Sequence, residues 1–266
     1  MSAAGIRVLV QEARTVGATL SAEESPLPVG PVGVSGMLAE QLAKELGAGA
    51  SPGAVVVGGA ELVERAEVLV RVVAGDPTPE DEELVRAADA HGIPVVLVQL
   101  WPQADWTAPF VLSPFVVECR TGEGFPVPDI ADRIVEATEN APVLGARVPA
   151  VAEAARSGSV KGAVIRSALI ALAGSRLGVS RQLLTLEQIR LLSHLRTASA
   201  GPLADDMRVR AGGAAAVVAT GFALRGFARS LRSFVPAPIA NVVVAAAGTW
   251  ALAKALDVVE ARLPDE

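Results

Sequence analysis

Short valine-rich runs that alternate with helix-like stretches are the feature that most restricts the fold of this chain. PVGV, AVVV, EVLVRVV, IPVVLVQL and PFVVEC follow one another between residues 31 and 119. These runs are apolar along most of their length rather than at every second residue, which is typical of strands buried on both faces of a sheet. The pattern therefore predicts an α/β fold, a parallel sheet with helices on both faces.

The alternation also gives the limits of the elements. We expect neighbouring parallel strands at residues 54–57, 67–73, 94–100 and 114–118, with a further strand at 31–34. Thr78-Pro79-Glu80-Asp81 predicts a helix start, because Thr caps the helix, Pro fits its first turn and acids suit its positive end. Ligands of such sheets bind beyond the carboxyl ends of the strands, so functional residues are expected in those loops.

The distribution of charge indicates two domains. Residues 1–142 hold 8 Lys/Arg against 21 Asp/Glu, a formal charge of −13, whereas residues 143–266 hold 15 against 8, a charge of +7. Such asymmetry favours two domains with different partners. We therefore expect an acidic α/β domain at 1–142, with 1–28 as an N-terminal helix and linker, and a basic, Ala-rich helical domain at 143–266.

The acidic half resembles the Era/Ras-like GTPases. The resemblance rests on AEVLVRVVAGDPTPEDEELVRAADAHGIPVVLVQLWP, which is similar to the span from the strand after switch II to the base-recognition strand, and on ECRTGEG (118–124), which is similar to the loop behind the guanine ring. It covers roughly residues 30–140 and implies a P-loop GTPase-like fold.

Three departures from that family concern the groups that bind nucleotide. The stretch Gly30–Met37 has neither the lysine nor the hydroxyl of a phosphate loop in the required place, and Gly58-Gly59 stand where a magnesium-binding Asp is needed. Leu100-Trp101-Pro102-Gln103 replaces the N-K-x-D that reads the base. The resemblance therefore implies a degenerate pseudo-GTPase domain, and we expect no catalytic residue, no metal and no cofactor.

Two weaker signals in this half have open alternatives. Ser35-Gly36, expected at a helix start, is a candidate anion site through backbone N–H groups, or else a plain cap. Trp101 and Trp106 flank a proline and are candidate anchors for a partner, because Trp is enriched at binding hot spots. The alternative is that the two rings cover the edge of the sheet.

The basic half resembles the C-terminal helical domain of an uncharacterised bacterial family, often membrane-associated and often attached to GTPases. The resemblance rests on GFALRGFARSLRSFVPAPIANVVVAAAGTWALAKAL and implies no catalytic residues. Two apolar runs, 211–224 and 235–253, predict a helical hairpin. It is expected to be buried in its own bundle or to insert shallowly, and the alternative is that 235–253 spans the membrane.

Arg225, Arg229 and Arg232 share one helix face and suit anionic lipid, with the acidic half of the same chain as the alternative. No aromatic stacking platform accompanies them, so nucleic acid is not expected. We expect a non-catalytic adaptor or regulator at the cytoplasmic membrane face. Its partners would be an anionic membrane surface and a protein, with homo-oligomerisation as a further option. The alternative is a divergent nucleotide-binding NTPase without a Walker lysine.

The compartment is predicted from the N-terminus and from the cysteine content. MSAAGIRVLVQEAR lacks the features of a secretory signal, which favours a cytoplasmic location, with association at the inner face of the membrane. Cys119 is the single cysteine, and its place at the end of an apolar run predicts a buried, reduced thiol.

Overall fold

A computed structural model describes residues 29–75, 77–102, 115–120, 124–177 and 237–260, together with part of the helical stretch 184–198. Five strands form its sheet: β1 (Val32–Gly36), β2 (Val55–Val57), β3 (Val68–Ala74), β4 (Val95–Leu100) and β5 (Val116–Cys119). All pair in parallel, in the order β2-β1-β3-β4-β5. The predicted parallel sheet is confirmed, and its strands lie within two residues of the expected limits.

Helices connect the strands and continue beyond the sheet. A 3-10 helix (Ala60–Glu64) follows β2, and the α-helices are α1 (Ala39–Leu46), α2 (Pro79–Ala90), α3 (Val127–Ala137), α4 (Ala141–Arg147), α5 (Pro149–Leu177) and α6 (Ala237–Glu260). From β1 the chain runs to β2, at one edge of the sheet. It then crosses back past β1 to β3, on the side of the other edge. The switch point of this doubly wound sheet, where such folds bind ligands, therefore lies between β1 and β3.

Both faces of the sheet are covered, as the apolar strands predicted. On one face, valines of β1, β3 and β4 pack with Leu42 of α1, Ile130 and Ile134 of α3, and Leu144 of α4. On the other face, Leu69 packs with Leu62 of the 3-10 helix and Leu84 of α2. Each fully buried Leu or Ile side chain contributes roughly 1.5–3 kcal/mol through removal of its apolar area from water.

The predicted start of α2 is confirmed in detail. Thr78 Oγ1 accepts from the Asp81 N–H, and the Asp81 carboxylate accepts from the Thr78 N–H at 2.7 Å, so the two residues form a capping box. His91 is the C-cap, with its Nδ1 2.8 Å from the carbonyl oxygen of Ala87. Local sequence signals therefore place the start of this helix.

The described residues form two compact units. One comprises 29–158 with 197–198, and the other comprises 159–195 with 237–260. Leu144 of α4, Val148 between α4 and α5, and Val151 of α5 belong to the same core as Ile130. Pro142 and Pro149 occupy first-turn positions of α4 and α5, where proline is compatible with a helix.

The second unit is helical, as predicted. Ala163 of α5 packs with Ala253 of α6 and with Leu191 and Leu195, and the hydroxyls of Thr249 and Ser167 are hydrogen-bonded with their oxygens 3.0 Å apart. Small residues at these positions allow the helices to approach closely. Over the helices that the structure describes, none combines the length and apolar character needed to cross a membrane. The run at 211–224 lies outside the described residues.

Candidate functional site at the carboxyl edge of the sheet

The stretch expected at the position of a phosphate loop is a strand and a tight turn. Residues 32–36 form β1, and only Met37 and Leu38 separate this strand from the first residue of α1. The Met37 N–H donates to the carbonyl oxygen of Val72 at 3.1 Å. Ser35 and Gly36 therefore end β1 instead of starting the helix, which corrects the expected position of this candidate anion site.

Gly36 is explained by close packing between strands. Its φ is +94°, and a Cβ added there would lie 2.1 Å from the carbonyl oxygen of Val72. Only glycine combines that backbone conformation with so close an approach. The residue that resembles part of a phosphate loop in the sequence thus allows β1 to turn directly into α1.

The glycine pair after β2 also makes internal contacts. The Gly58 N–H donates to the carbonyl oxygen of Val34 at 3.1 Å, and the Gly59 N–H donates to Glu61 Oε1 at 2.9 Å. The hydrogen bond from Gly59, followed by that from the Glu61 N–H, lowers the pKa of Glu61. A carboxylate of the chain itself therefore occupies backbone donors at this end of the sheet.

Large apolar side chains are exposed where the connections after β1, β2 and β4 leave the sheet. Met37, Leu38, Val57 and Trp101, here called the apolar rim, are between 42% and 57% exposed. They follow or end β1, β2 and β4. The exposure of Trp101 favours the interpretation as a partner anchor over that of a cover for the sheet, whereas Trp106 lies outside the described residues.

Acidic residues surround this rim. Every helix that follows a strand in this sheet begins at the carboxyl edge, and exposed acids stand in those first turns: Glu40, Glu61, Glu80 and Asp129. They stabilise the positive ends of the helices. The same charges disfavour phosphate, because an incoming anion meets carboxylates at the donors that would otherwise bind it.

A polar cluster lies under the edge, on the face of the sheet that α2 covers. Ser35 pairs in register with Arg71, and Gln99 lies two residues beyond Leu97, the partner of Arg71 on β4. Ser35 and Gln99 are each 1% exposed, and neither Ser35 Oγ nor Gln99 Nε2 has a hydrogen-bond partner. This cluster was not predicted from the sequence, although a polar residue inside each of three apolar strands was the available signal.

The ionisable residues of the described part of the chain form no group of three or more that is able to hold a metal ion.

The Cys119 thiol is buried and donates to the carbonyl oxygen of Gly124 at 3.4 Å. Burial, and secondarily the Glu45 carboxylate, raises the pKa of Cys119, so the thiol stays protonated at neutral pH. Burial also lowers the pKa of His194, helped by Arg190 and Arg166.

The helical unit presents a second candidate surface. Ile165, Leu169 and Leu172 occur at i, i+4 and i+7 along α5 and are each more than half exposed, and Val243 and Trp250 are exposed on α6. A helix of a water-soluble bundle normally places polar residues on its outward face. Arg225, Arg229 and Arg232, the predicted lipid contacts, lie outside the described residues.

Comparison of the chain with protein-family models, with curated proteins and with solved structures found no match.

Proposed function

We propose that this protein is a non-catalytic, pseudo-GTPase-like adaptor or regulator that acts at the cytoplasmic face of a membrane through its helical half. The observation that carries the proposal is the direct turn from β1 into α1. It is too short to enclose a phosphate, its Met37 N–H is bonded to Val72, and Glu40 stands in the first turn beyond it. An edge of this kind has the geometry for contact with a protein rather than with a nucleotide.

The exposed apolar face of α5 supports the membrane part of the proposal. Ile165, Leu169 and Leu172 match the pattern of a helix that lies in the lipid interface with its apolar face buried in the acyl boundary. The arginines at 225, 229 and 232 have the spacing of one face of a helix predicted from the sequence, and each would contribute about 1 kcal/mol of attraction to anionic lipid.

A thermal-shift experiment tests the adaptor part. The full chain is heated with GTP, with ATP and without nucleotide, each in the presence of magnesium. We expect the same midpoint in all three, because the adaptor binds neither nucleotide. A nucleotide that did bind, at 100 times its Kd, would raise the free energy of unfolding by about 2.7 kcal/mol. A clear upward shift would reject the adaptor and favour the divergent NTPase.

Co-sedimentation with vesicles tests the membrane part. Wild-type protein should bind phosphatidylserine-containing vesicles at low salt and be released at high salt, because exposed charges are screened over about 8 Å at physiological ionic strength. A triple Arg225→Glu, Arg229→Glu, Arg232→Glu variant should not bind. Release only by detergent would indicate a true span, and no binding at any salt would reject the membrane role.

A further inference from the structure

We infer that the apolar rim and the acids around it form a docking surface for a basic amphipathic helix of a protein partner. The inference rests on the proposed adaptor function, since it requires that no nucleotide occupies the carboxyl edge. It adds the location of the contact and the chemistry of the partner, neither of which follows from the resemblance to GTPases.

The dimensions of the rim suit a helix. Val57, Met37 and Trp101 stand at the ends of β2, β1 and β4, and three strand spacings separate β2 from β4. At about 4.8 Å per spacing, the rim is about 14 Å wide, which equals the rise of about ten helical residues. Two or three turns of an amphipathic helix therefore place apolar side chains along the whole row.

The charges around the rim select a basic partner. Glu40, Glu61, Glu80 and Asp129 are exposed in the first turns of the helices that begin at this edge. Arg71 is held by Asp81, and Arg120 at the end of β5 is held by Glu118. An apolar row bordered by carboxylates is complementary to a partner helix that carries leucines on one face and arginines next to that face. The same carboxylates repel anionic lipid and nucleic acid.

The backbone at the rim supports a role beyond packing. Leu38 and Trp101 have φ values of +55° and +51°, and they are the non-glycine residues with positive φ in the described part of the chain. Bulky residues rarely adopt this conformation, whereas Gly and Asn adopt it more readily. The fold thus holds two exposed apolar side chains at the edge in a conformation that other residues adopt more easily.

A peptide-binding experiment on the full chain tests this inference. The probe is a fluorescein-labelled 14-residue designed helix with leucines on one face and arginines on the other, and its counterpart has glutamate for every arginine. Fluorescence anisotropy should show binding of the arginine peptide, weakened at least fivefold by 0.5 M NaCl, and no binding of the glutamate peptide. Equal binding of both peptides, or of neither, would overturn the inference.

Substitutions at the rim separate a binding role from a structural one. Leu38→Asn and Trp101→Asn remove apolar side chains but keep residues that tolerate positive φ, so both variants should fold with an equal or higher Tm. Each should weaken binding of the arginine peptide at least tenfold. Glu153→Gln, which removes an exposed carboxylate of α5 that belongs neither to the rim nor to its acids, should leave this binding unchanged. Unchanged binding by both rim variants would overturn the inference.

The outcomes also separate this inference from the adaptor proposal. A negative peptide result together with no thermal shift by nucleotide would reject the partner chemistry and leave the adaptor function in place. A thermal shift by GTP or ATP would reject the adaptor function itself.

Discussion

The guanidinium of Arg71 on β3 and the carboxylate of Asp81 in the first turn of α2 form an ion pair under the carboxyl edge of the sheet. Arg71 Nε donates to Asp81 Oδ1 at 2.7 Å, and Nη2 lies 2.6 Å from the same oxygen. The two side chains are only 11% and 9% exposed. Because Asp81 Oδ2 accepts from Thr78, a single carboxylate joins the sheet to the cap of the helix that follows it.

Replacement of Arg71 by Met should destabilise the fold strongly. It leaves the Asp81 carboxylate buried without its cation, and loss of one partner of a buried pair costs about 3–5 kcal/mol. Urea denaturation measures the change in free energy of unfolding. Arg133→Met is the matched control, because its pair with Glu136 is solvent-exposed and worth less than about 1 kcal/mol. Similar losses in the two variants would contradict the prediction.

Acid should remove the stabilisation that Asp81 provides. Burial raises the pKa of Asp81, but hydrogen bonds from the Thr78 N–H and hydroxyl and from Arg71 outweigh it, so the pKa lies below its ordinary value of 3.8. A lowered pKa in the folded state means that the contribution is fully present above about pH 4 and is lost as the pH falls through the folded value.

Asp81→Asn should therefore be less stable than wild type by a constant amount from pH 7 to about pH 5, and the difference should shrink below about pH 4. Denaturant titrations of both proteins across this range give the comparison. A difference as large at pH 3 as at pH 7 would show that the Asp81 carboxylate does not act through its charge.

Replacement of Ser35 by Ala should leave the protein equally stable or stabilise it. The Ser35 hydroxyl is buried and has no hydrogen-bond partner, and a buried unsatisfied polar group costs about 1–3 kcal/mol. Chemical denaturation gives the change, with the exposed Ser51→Ala as a control that should have little effect. A loss of more than about 1 kcal/mol would indicate that the hydroxyl does bind a partner in solution.

Cys119 should react slowly in the folded protein. Burial and the nearby Glu45 carboxylate raise the pKa of its thiol, so little thiolate forms at neutral pH, and the thiolate is the reactive species. Mass spectrometry after exposure to iodoacetamide at pH 7.5 should show little modification in buffer and complete modification in 6 M guanidinium chloride. Equally rapid modification in both would contradict the burial of this side chain.

Local signals in the sequence account for the elements of the α/β unit. Continuous valine-rich runs require cover on both faces of a sheet, and they predicted β2, β3, β4 and β5 because this requirement is independent of the neighbouring strand. The cap at Thr78 and Pro79 likewise placed the start of α2, since capping depends on residues within one turn. The GTPase resemblance and the adaptor function stay predictions.

The tertiary structure decided what depends on residues distant in sequence. The close approach of Gly36 to Val72 sets the two-residue turn into α1, and Leu144 of α4 packs in the same core as Ile130 of α3. The apolar rim and the Arg71–Asp81 pair likewise bring together residues from different strands and helices. The sequence by itself determined that apolar strands alternate with capped helices, because these patterns arise from neighbouring residues. Strand order and side-chain register decided which residues share an edge or a face, because parallel pairing joins segments that the chain separates by whole helices.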